Sequence, residues 1–241
     1  MDNAIYITAA HQLALTRDMD VTANNIANMN TPGFDASHNL FTSYLFQDGP
    51  RGNVALTNDI STYRDTAAGS ARETGNALDL AIGGEGYFIV DTPQGRRYTR
   101  AGNFQIDANS TLVTQEGYPV LDVTGQRILF TPQDKAITIG ALGNLQVDGQ
   151  DRSQIAVVNF ANPQDMKRMG ERMYSTDQVP QPADNPRVMQ GTLENSNVQP
   201  VIETTHMLEV SRSFEDAAKL VQIFYDVENQ HTTSWTQQTN G

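Results

Sequence analysis

The spacing of hydrophobic positions changes character three times along the chain. Residues 5–29 contain neither Gly nor Pro and include strong helix formers, so they predict a helix, although its apolar seam is weak. Between residues 74 and 189, short runs rich in Val, Ile, Tyr and Phe alternate with turn residues at intervals of roughly 8–12 positions. After the Pro-rich segment VPQPADNPR, apolar residues return with three- and four-residue spacing and predict a second helix. This apolar stripe consists of Met207, Val210, Phe214, Ala217, Val221 and Phe224.

These patterns predict a mainly β fold with long terminal helices. The regular strand spacing is typical of a central antiparallel β sandwich or barrel-like domain, here flanked by two helical arms. The connection between the first helix and this domain is polar and contains the breaker cluster QDGPRGN, so we expect loops and at most short strands there. The N-terminal arm, the irregular connection, the central β domain and the C-terminal arm are predicted at residues 1–34, 35–73, 74–190 and 191–241.

The N-terminal helix is predicted to end within the stretch ANNIANMNTPGF. Asn28 and Asn30 tolerate a left-handed backbone, and Pro32 biases Thr31 away from the helical region. A helix end followed by a turn is therefore the simplest interpretation of this asparagine cluster.

Capping residues predict two further helix starts. The segment NPQDMKRMGERMY predicts one short helix that Asn162 and Pro163 open. Asn197 is the predicted cap of the C-terminal helix, with Pro200 in the first turn and Glu203 at the positive end of the helix dipole.

The C-terminal stripe needs a partner surface, because isolated helices are only marginally stable in water. Two interpretations stay open at this point. The stripe can dock on the β domain as ordinary core, or it can pack with N-terminal arms, and then several chains are needed because the N-terminal seam is weak and polar.

Composition narrows the range of partners. A formal net charge of −12 makes nucleic acid and anionic membrane surfaces poor partners, because both repel an acidic chain. The apolar runs are too short to cross a bilayer, and the first residues, MDNAIYITAAHQL, lack the pattern of a cleaved signal peptide. The absence of cysteine excludes disulfides, thiolate catalysis and Cys-based zinc sites.

No pattern of catalytic, cofactor-binding or metal-ligating residues emerges. The four histidines, at positions 11, 38, 206 and 231, all lie outside the predicted β domain, which disfavours a hydrolase with a His-dependent site. The glycine-rich GGEGYF fits neither the G-x-G-x-x-G motif nor the P-loop, the two glycine-rich motifs that bind phosphate, and it predicts a hairpin turn. A non-enzymatic structural protein is the leading hypothesis, and a soluble carbohydrate- or peptide-binding β domain with helical extensions is the second.

Three blocks of the sequence carry a family resemblance. ANNIANMNTPGF is similar to the N-terminal signature A-N-N-[LI]-A-N-x-x-T-x-G-[FY] of the flagellar axial proteins, the rod and hook subunits of bacteria. The stretch from TGNALDLAIGGEGYFIVD to QEGYPVL resembles the central block of that family, and GTLENSNVQPVIETTHMLEVSRSFEDAAKLVQ resembles its C-terminal block. Within the family, the opening of the chain looks most like proximal-rod subunits, with distal-rod or hook-type subunits as the alternative.

The resemblance implies a structural subunit of the basal-body rod. Family members leave the cytoplasm unfolded through the flagellar type III export apparatus, without a cleaved signal, and assemble helically in the periplasm. Their terminal helices pack as a coiled-coil-like inner tube, with the β domain outside. The implied partners are copies of the chain, other proximal- and distal-rod subunits and the export apparatus, with no nucleic acid, no membrane insertion and no cofactor.

The resemblance also suggests a role for the asparagine cluster. We hypothesise that Asn24, Asn25 and Asn28 offer side-chain amides to neighbouring subunits, while Pro32 and Gly33 turn the chain outward. Phe34 is then expected to pack where the chain turns. The predicted assembly interface combines the six residues of the C-terminal stripe with Asn24, Asn25, Ala27, Asn28, Thr31, Pro32, Gly33 and Phe34.

Overall fold

The chain divides into two compact units. A computed structural model describes residues 2–47, 53–170 and 172–238, with side chains at 7–41, 61–170 and 172–227. The helical unit comprises Met1–Ala27, Ser37–Arg64 and Gln199–Gly241, and the β unit comprises Asn28–Ala36 and Asp65–Val198.

The helical unit contains two helices and one hairpin. Its elements are α1 (Asp2–Ala27), β1 (Ser37–Gln47), β2 (Asn53–Arg64) and α2 (Pro200–Gln238). Helix α1 contacts α2, β1 and β2. Both terminal helices predicted from the sequence are thus confirmed, and within this unit the C-terminal helix has the N-terminal helix as a partner.

The prediction of an irregular connection is wrong for residues 37–64. Strands β1 and β2 pair antiparallel along their whole length, with one irregularity of register between Thr42 and Ser43. Their sequences, SHNLFTSYLFQ and NVALTNDISTYR, are rich in aromatic and β-branched residues, which favour a pleated strand over a loop. The breaker cluster that suggested loops lies between the strands, and its residues 48–52 are outside the described part of the chain.

The β unit is built from short antiparallel strands. The largest sheet has six strands in the order β13-β14-β6-β5-β12-β15, and a second sheet has three in the order β11-β10-β9. The other pairs are β16-β4, β17-β3 and β7-β8. The strands are β3 (Ala71–Glu73), β4 (Leu80–Ile82), β5 (Tyr87–Thr92), β6 (Gly95–Thr99), β7 (Gln105–Ile106), β8 (Leu112–Val113), β9 (Ile137–Ile139), β10 (Asn144–Val147), β11 (Gln150–Gln154), β12 (Val157–Asn159), β13 (Lys167–Met169), β14 (Met173–Ser175), β15 (Gln181–Pro182), β16 (Val188–Gln190) and β17 (Thr192–Glu194).

Two apolar clusters cover the two faces of the six-stranded sheet. Because side chains alternate along a strand, Phe88 and Val90 of β5 enter one cluster, whereas Tyr87 and Ile89 enter the other. The first cluster also contains Leu145 of the three-stranded sheet, so it joins the two larger sheets. These clusters form the core of the β unit.

The mainly β, antiparallel character of the central region is confirmed, but the barrel-like alternative is wrong. The strands within the described residues form several small sheets, and no sheet closes on itself. The reason is the length of the strands, since most have only two to five residues and cannot continue a ladder around a barrel.

Two predicted helix starts are also corrected. Residues Pro163–Asp165 form a single 3₁₀ turn, and the segment continues into the hairpin of β13 and β14 rather than into a helix. Asn197 does not cap α2, because its Oδ1 accepts a hydrogen bond from the Ala36 N–H instead. The first backbone bond of α2 runs from the Glu203 N–H to the Gln199 carbonyl.

Neither helix, over its described residues, is both long enough and apolar enough to cross a membrane.

Candidate assembly interface

The contact between α1 and α2 uses one regularly spaced face of each helix. On α2 the buried positions Glu203, Val210 and Ala217 are seven residues apart, which is the period of a coiled-coil seam. The other predicted stripe residues, Met207, Phe214, Val221 and Phe224, are half-buried between or beyond them. On α1 the buried face is small or polar and consists of Ala14, Asp18, Thr22 and Asn25.

Asp18 connects three elements of the helical unit. Its Oδ2 lies 3.0 Å from Nε2 of His206 on α2, and its Oδ1 accepts a hydrogen bond of 3.2 Å from the Asn39 amide on β1. Sequence reasoning missed this role, because Asp18 interrupts an apolar pattern rather than forming one.

Asn25 forms two hydrogen bonds with one residue of its own chain. Its Nδ2 donates to the Ser37 carbonyl over 2.8 Å, and its Oδ1 accepts from the Ser37 N–H over 3.0 Å. The side chain is only 1% exposed. The amide therefore holds the first residue of β1 against α1. A contact of this side chain with a neighbouring subunit stays a prediction.

Asn28 begins the turn that follows α1. Its carbonyl accepts from the Thr31 N–H over 3.0 Å, and its Oδ1 accepts from the Thr31 hydroxyl over 3.1 Å. Helix α1 ends at Ala27, so the prediction that the asparagine cluster ends the helix is confirmed.

Gly33 occupies a position in the β unit that only glycine fits. Its φ is +66°, and a Cβ at this residue would lie 2.5 Å from the backbone N of Ala101. Its N–H donates to the Glu194 carbonyl over 2.9 Å. The close approach to two other segments of the β unit explains the glycine at this position.

Phe34 is buried in a small cluster of its own. It is 1% exposed and packs with Ala36 and Val198, with half-buried Met29 beside them. The Arg168 guanidinium lies over its ring, 4.3 Å from the centroid, in a cation–π arrangement. The expectation that Phe34 packs after the turn is confirmed, and the packing is internal to the chain.

The Asn197 side chain ties together three stretches of the β unit. Its Oδ1 accepts from the Ala36 N–H over 2.7 Å, and its Nδ2 donates to the carbonyls of Asp65 and Ala67, each over 2.9 Å. Every polar atom of this amide is therefore bonded to the backbone of a distant segment. Its partners lie about 130 to 160 positions away in the sequence, and a single-sequence pattern carries no signal of them.

A buried ion pair supports the same region. Arg100 Nε donates to Glu194 over 2.8 Å, and its terminal nitrogens donate to the carbonyls of Gly86 and Gly84 over 2.9 and 3.0 Å. The other carboxylate oxygen of Glu194 accepts from the Gly69 N–H over 3.0 Å. Burial raises the pKa of the Glu194 carboxyl, and the charge of Arg100 opposes that rise.

The remaining residues of the predicted interface lie at or near the surface. Asn24 and Ala27 are exposed, and Thr31 and Pro32 are half-buried. The structure thus gathers residues 31–34 within the β unit and the C-terminal stripe within the helical unit. Contacts of these residues with neighbouring subunits stay a prediction.

The helices also carry large apolar side chains that the sequence analysis did not single out. In α2, Leu220, Ile223 and Val227 are exposed at i, i+3 and i+7, which makes a second stripe beside the first. Such a surface marks an interaction site in a soluble protein. The most exposed large apolar residues of the two helices are Leu13, Val201, Ile202, Leu208, Leu220, Ile223 and Tyr225.

We next asked whether the described residues contain a metal site. No group of three His, Asp or Glu side chains among them is placed to hold a metal ion.

Three family models match this chain, one in each of the three sequence blocks that carry the resemblance. Residues 12–34 match the family described as flagella basal body rod protein, and residues 81–147 match the flagellar hook protein FlgE/F/G D1 domain. Residues 189–225 match the flagellar basal body rod FlgEFG protein C-terminal family.

Full-length relatives decide the assignment. The flagellar basal-body rod protein FlgF of Caulobacter vibrioides is 36% identical over 231 residues, covering 92% of this chain and 93% of the relative. The chain belongs to the flagellar basal-body rod protein family. FlgF of Mesorhizobium japonicum is also 36% identical at the same coverage. The rod protein FlgG of Bacillus subtilis is 35% identical over 84% of this chain and 88% of the relative.

Membership in the rod family indicates what the chain does in general terms. The rod proteins are structural components of the flagellum and not enzymes, so this chain is a structural subunit of the basal-body rod.

Proposed function

We propose that the chain is a subunit of the proximal rod that assembles helically through α1 and α2. The observation that carries this proposal is the pair of apolar faces on α2. One face contacts α1 within the chain, and the second face, with Leu220 and Ile223, is exposed. Large exposed apolar stripes on a helix favour packing against further helices, so several copies can build a coiled-coil-like inner layer.

The assignment to the proximal rod rests on the extent of similarity. The FlgF relatives of Caulobacter vibrioides and Mesorhizobium japonicum are 36% identical over 92% of the chain. FlgG of Agrobacterium fabrum is 32% identical over 90% of it, and FlgG of Bacillus subtilis aligns over 84%. Its identity of 35% makes a distal-rod position the second candidate. Basal bodies imaged from a strain that lacks this gene separate the two. A missing proximal rod supports our proposal, and a truncated rod that keeps its proximal part favours the distal position.

The exposed stripe can be tested separately from the gene deletion. Replacing both Leu220 and Ile223 by Ser should leave the purified chain folded and abolish rod assembly in the deletion strain. Val123 is also an exposed large apolar residue but lies in the β unit, so Val123→Ser is the matched control. Normal rods with the double variant would contradict assembly through this face.

We also propose export through the flagellar type III apparatus to the periplasm without removal of a signal. The support is the family resemblance, and the absence of cysteine removes any need for oxidative folding after export. Cell fractionation and intact-mass measurement test this proposal. Full-length protein in the periplasm that disappears when the export apparatus is inactivated is the expected result, and a shortened N-terminus would overturn it.

A further inference from the structure

Glu203 is a buried residue whose carboxylate has no partner in the described part of the chain. It lies in the first turn of α2, at the seam position seven residues before Val210, and is only 6% exposed. Its backbone N–H donates a hydrogen bond to the Gln199 carbonyl. Its side-chain oxygens form no hydrogen bond or ion pair with any residue that the structure describes. Covering this carboxylate completely, as packing against another subunit would do, is unfavourable unless a cation or donor compensates the lost water.

The carboxylate lies in the wall of a cavity of about 450 Å³ that is confined to the helical unit. The walls of the cavity are more apolar than polar, and Val201 on its edge is 78% exposed. The cavity is lined by Glu203 together with His38, Val201, Ile202, Thr205, His206 and Glu209.

Two of the polar neighbours in this cavity, Thr205 and His206, already have partners. The Thr205 hydroxyl donates to the Val201 carbonyl over 2.8 Å, and the His206 ring pairs with Asp18 at 3.0 Å. The positive end of the α2 dipole favours an acidic residue here, but it is a weaker compensation than a direct cation partner. A second carboxylate, Glu209, adds negative charge to the same cavity.

We propose that this cavity receives an arginine side chain from a second copy of the chain, whose guanidinium pairs with Glu203. An arginine fits because its fork geometry matches a carboxylate, and its aliphatic stem can pack against Val201 and Ile202. A second copy fits because the helical unit itself supplies the complementary charge. Arg17 on α1 and Arg212 on α2 are both exposed, and neither forms an ion pair with another residue in the described ranges.

The proposal rests on the proposed assembly through α1 and α2, and it names a contact within that assembly. In a strain that lacks the gene, the Glu203→Gln variant should form at least tenfold fewer rods per cell than the wild-type chain. The amide keeps the size of the side chain but removes the charge, so the purified variant should retain its circular dichroism spectrum. The matched control is Glu215→Gln, an exposed carboxylate on α2 that does not line the cavity and should behave as wild type.

Exchanging the charges of Glu203 and a candidate arginine tests which residue pairs with Glu203. Glu203→Arg alone should abolish rods, and combining it with either Arg17→Glu or Arg212→Glu should restore at least half of the wild-type number. Restoration by one of the two double variants supports a second copy as the partner. Failure of both double variants, or full assembly by Glu203→Gln, would overturn the proposal.

These outcomes are distinguishable from a failure of the proposed function. If cells without the gene still build complete rods, the function is wrong. If the gene is required but Glu203→Gln assembles normally, only the arginine contact is wrong.

Discussion

The two units of this rod subunit bury opposite kinds of side chain. The β unit fully buries large residues, among them Leu80, Phe88, Leu145 and Tyr174. The helical unit buries mainly small or polar residues and leaves larger ones at the surface. Its buried positions include Ala14, Thr22, Asn25 and Ala217, whereas Leu13, Leu208, Leu220 and Ile223 are about half exposed or more.

This contrast indicates two different sources of stability. Burial of large apolar side chains supplies most of the favourable free energy of a domain, so the β unit has the composition of a self-sufficient core. The helical unit leaves much of its apolar surface exposed. Substitutions in each unit can test this division.

The replacement Phe88→Ala should lower the free energy of unfolding of the β unit by about 4 kcal/mol, because it removes a fully buried ring and leaves a cavity. The exposed Ile223→Ala should change the free energy of unfolding of the helical unit by less than about 0.5 kcal/mol. Urea unfolding followed by circular dichroism measures both. Equal losses for the two variants would remove the distinction between the units.

The Gly33→Ala replacement should cost about 3 kcal/mol, from a left-handed φ and from the approach of the new Cβ to Ala101. Gly75 is the matched control, because it has a similar φ of +74° and no atom lies within 4 Å of the place its Cβ would take. Gly75→Ala should therefore cost only about 1 kcal/mol, which isolates the strain of the backbone. Urea unfolding measures both costs. If they are equal, the close approach contributes nothing.

Within the helical unit, Asn25→Ala should cost about 2 kcal/mol, because it leaves the N–H and carbonyl of Ser37 without their partner. Hydrogen exchange at the Ser37 amide should accelerate accordingly, by roughly 30-fold. Asn30 is exposed and follows α1, so Asn30→Ala serves as the control and should leave exchange unchanged. Unchanged exchange in Asn25→Ala would mean that the hairpin is held by other contacts.

The smallest effect concerns acid stability of the β unit. Hydrogen bonds from the Thr131 hydroxyl and N–H, together with Arg152, lower the pKa of Asp134 below its usual 3.8. A lowered pKa means that the carboxylate stabilises the fold above that value and that this stabilisation is lost as the pH falls through the lowered pKa. Asp134→Asn should therefore flatten the decline of melting temperature in this acidic range, whereas Asp177→Asn, an exposed carboxylate, should not. A parallel decline in both variants would contradict the assignment.

The sequence predicted the elements that depend on local periodicity. The stripe from Met207 to Phe224 identified α2, because a helix places residues three and four apart on one side. The end of α1 was predictable for the same reason, since Asn28 and Thr31 form a turn between near neighbours.

What the sequence did not predict depends on distant partners or on weak signals. The hairpin of β1 and β2 was missed because its breaker cluster outweighed the aromatic and β-branched residues on either side. Asn197 was interpreted as a helix cap because its true partners, at Ala36, Asp65 and Ala67, are remote in the chain. The bonds of Asn25 to Ser37 were missed because an isolated sequence cannot distinguish a bonded amide from a free one.

The bond between Ala36 and Asn197 has a consequence for the order of events during synthesis. The two residues are separated by 161 positions, so a ribosome must translate most of the chain before they can meet. Until then the segment around Phe34 has neither Val198 nor the Asn197 amide to dock against. Contacts of such long separation form late and slowly, so the segment around Phe34 stays undocked while the rest of the chain is being made.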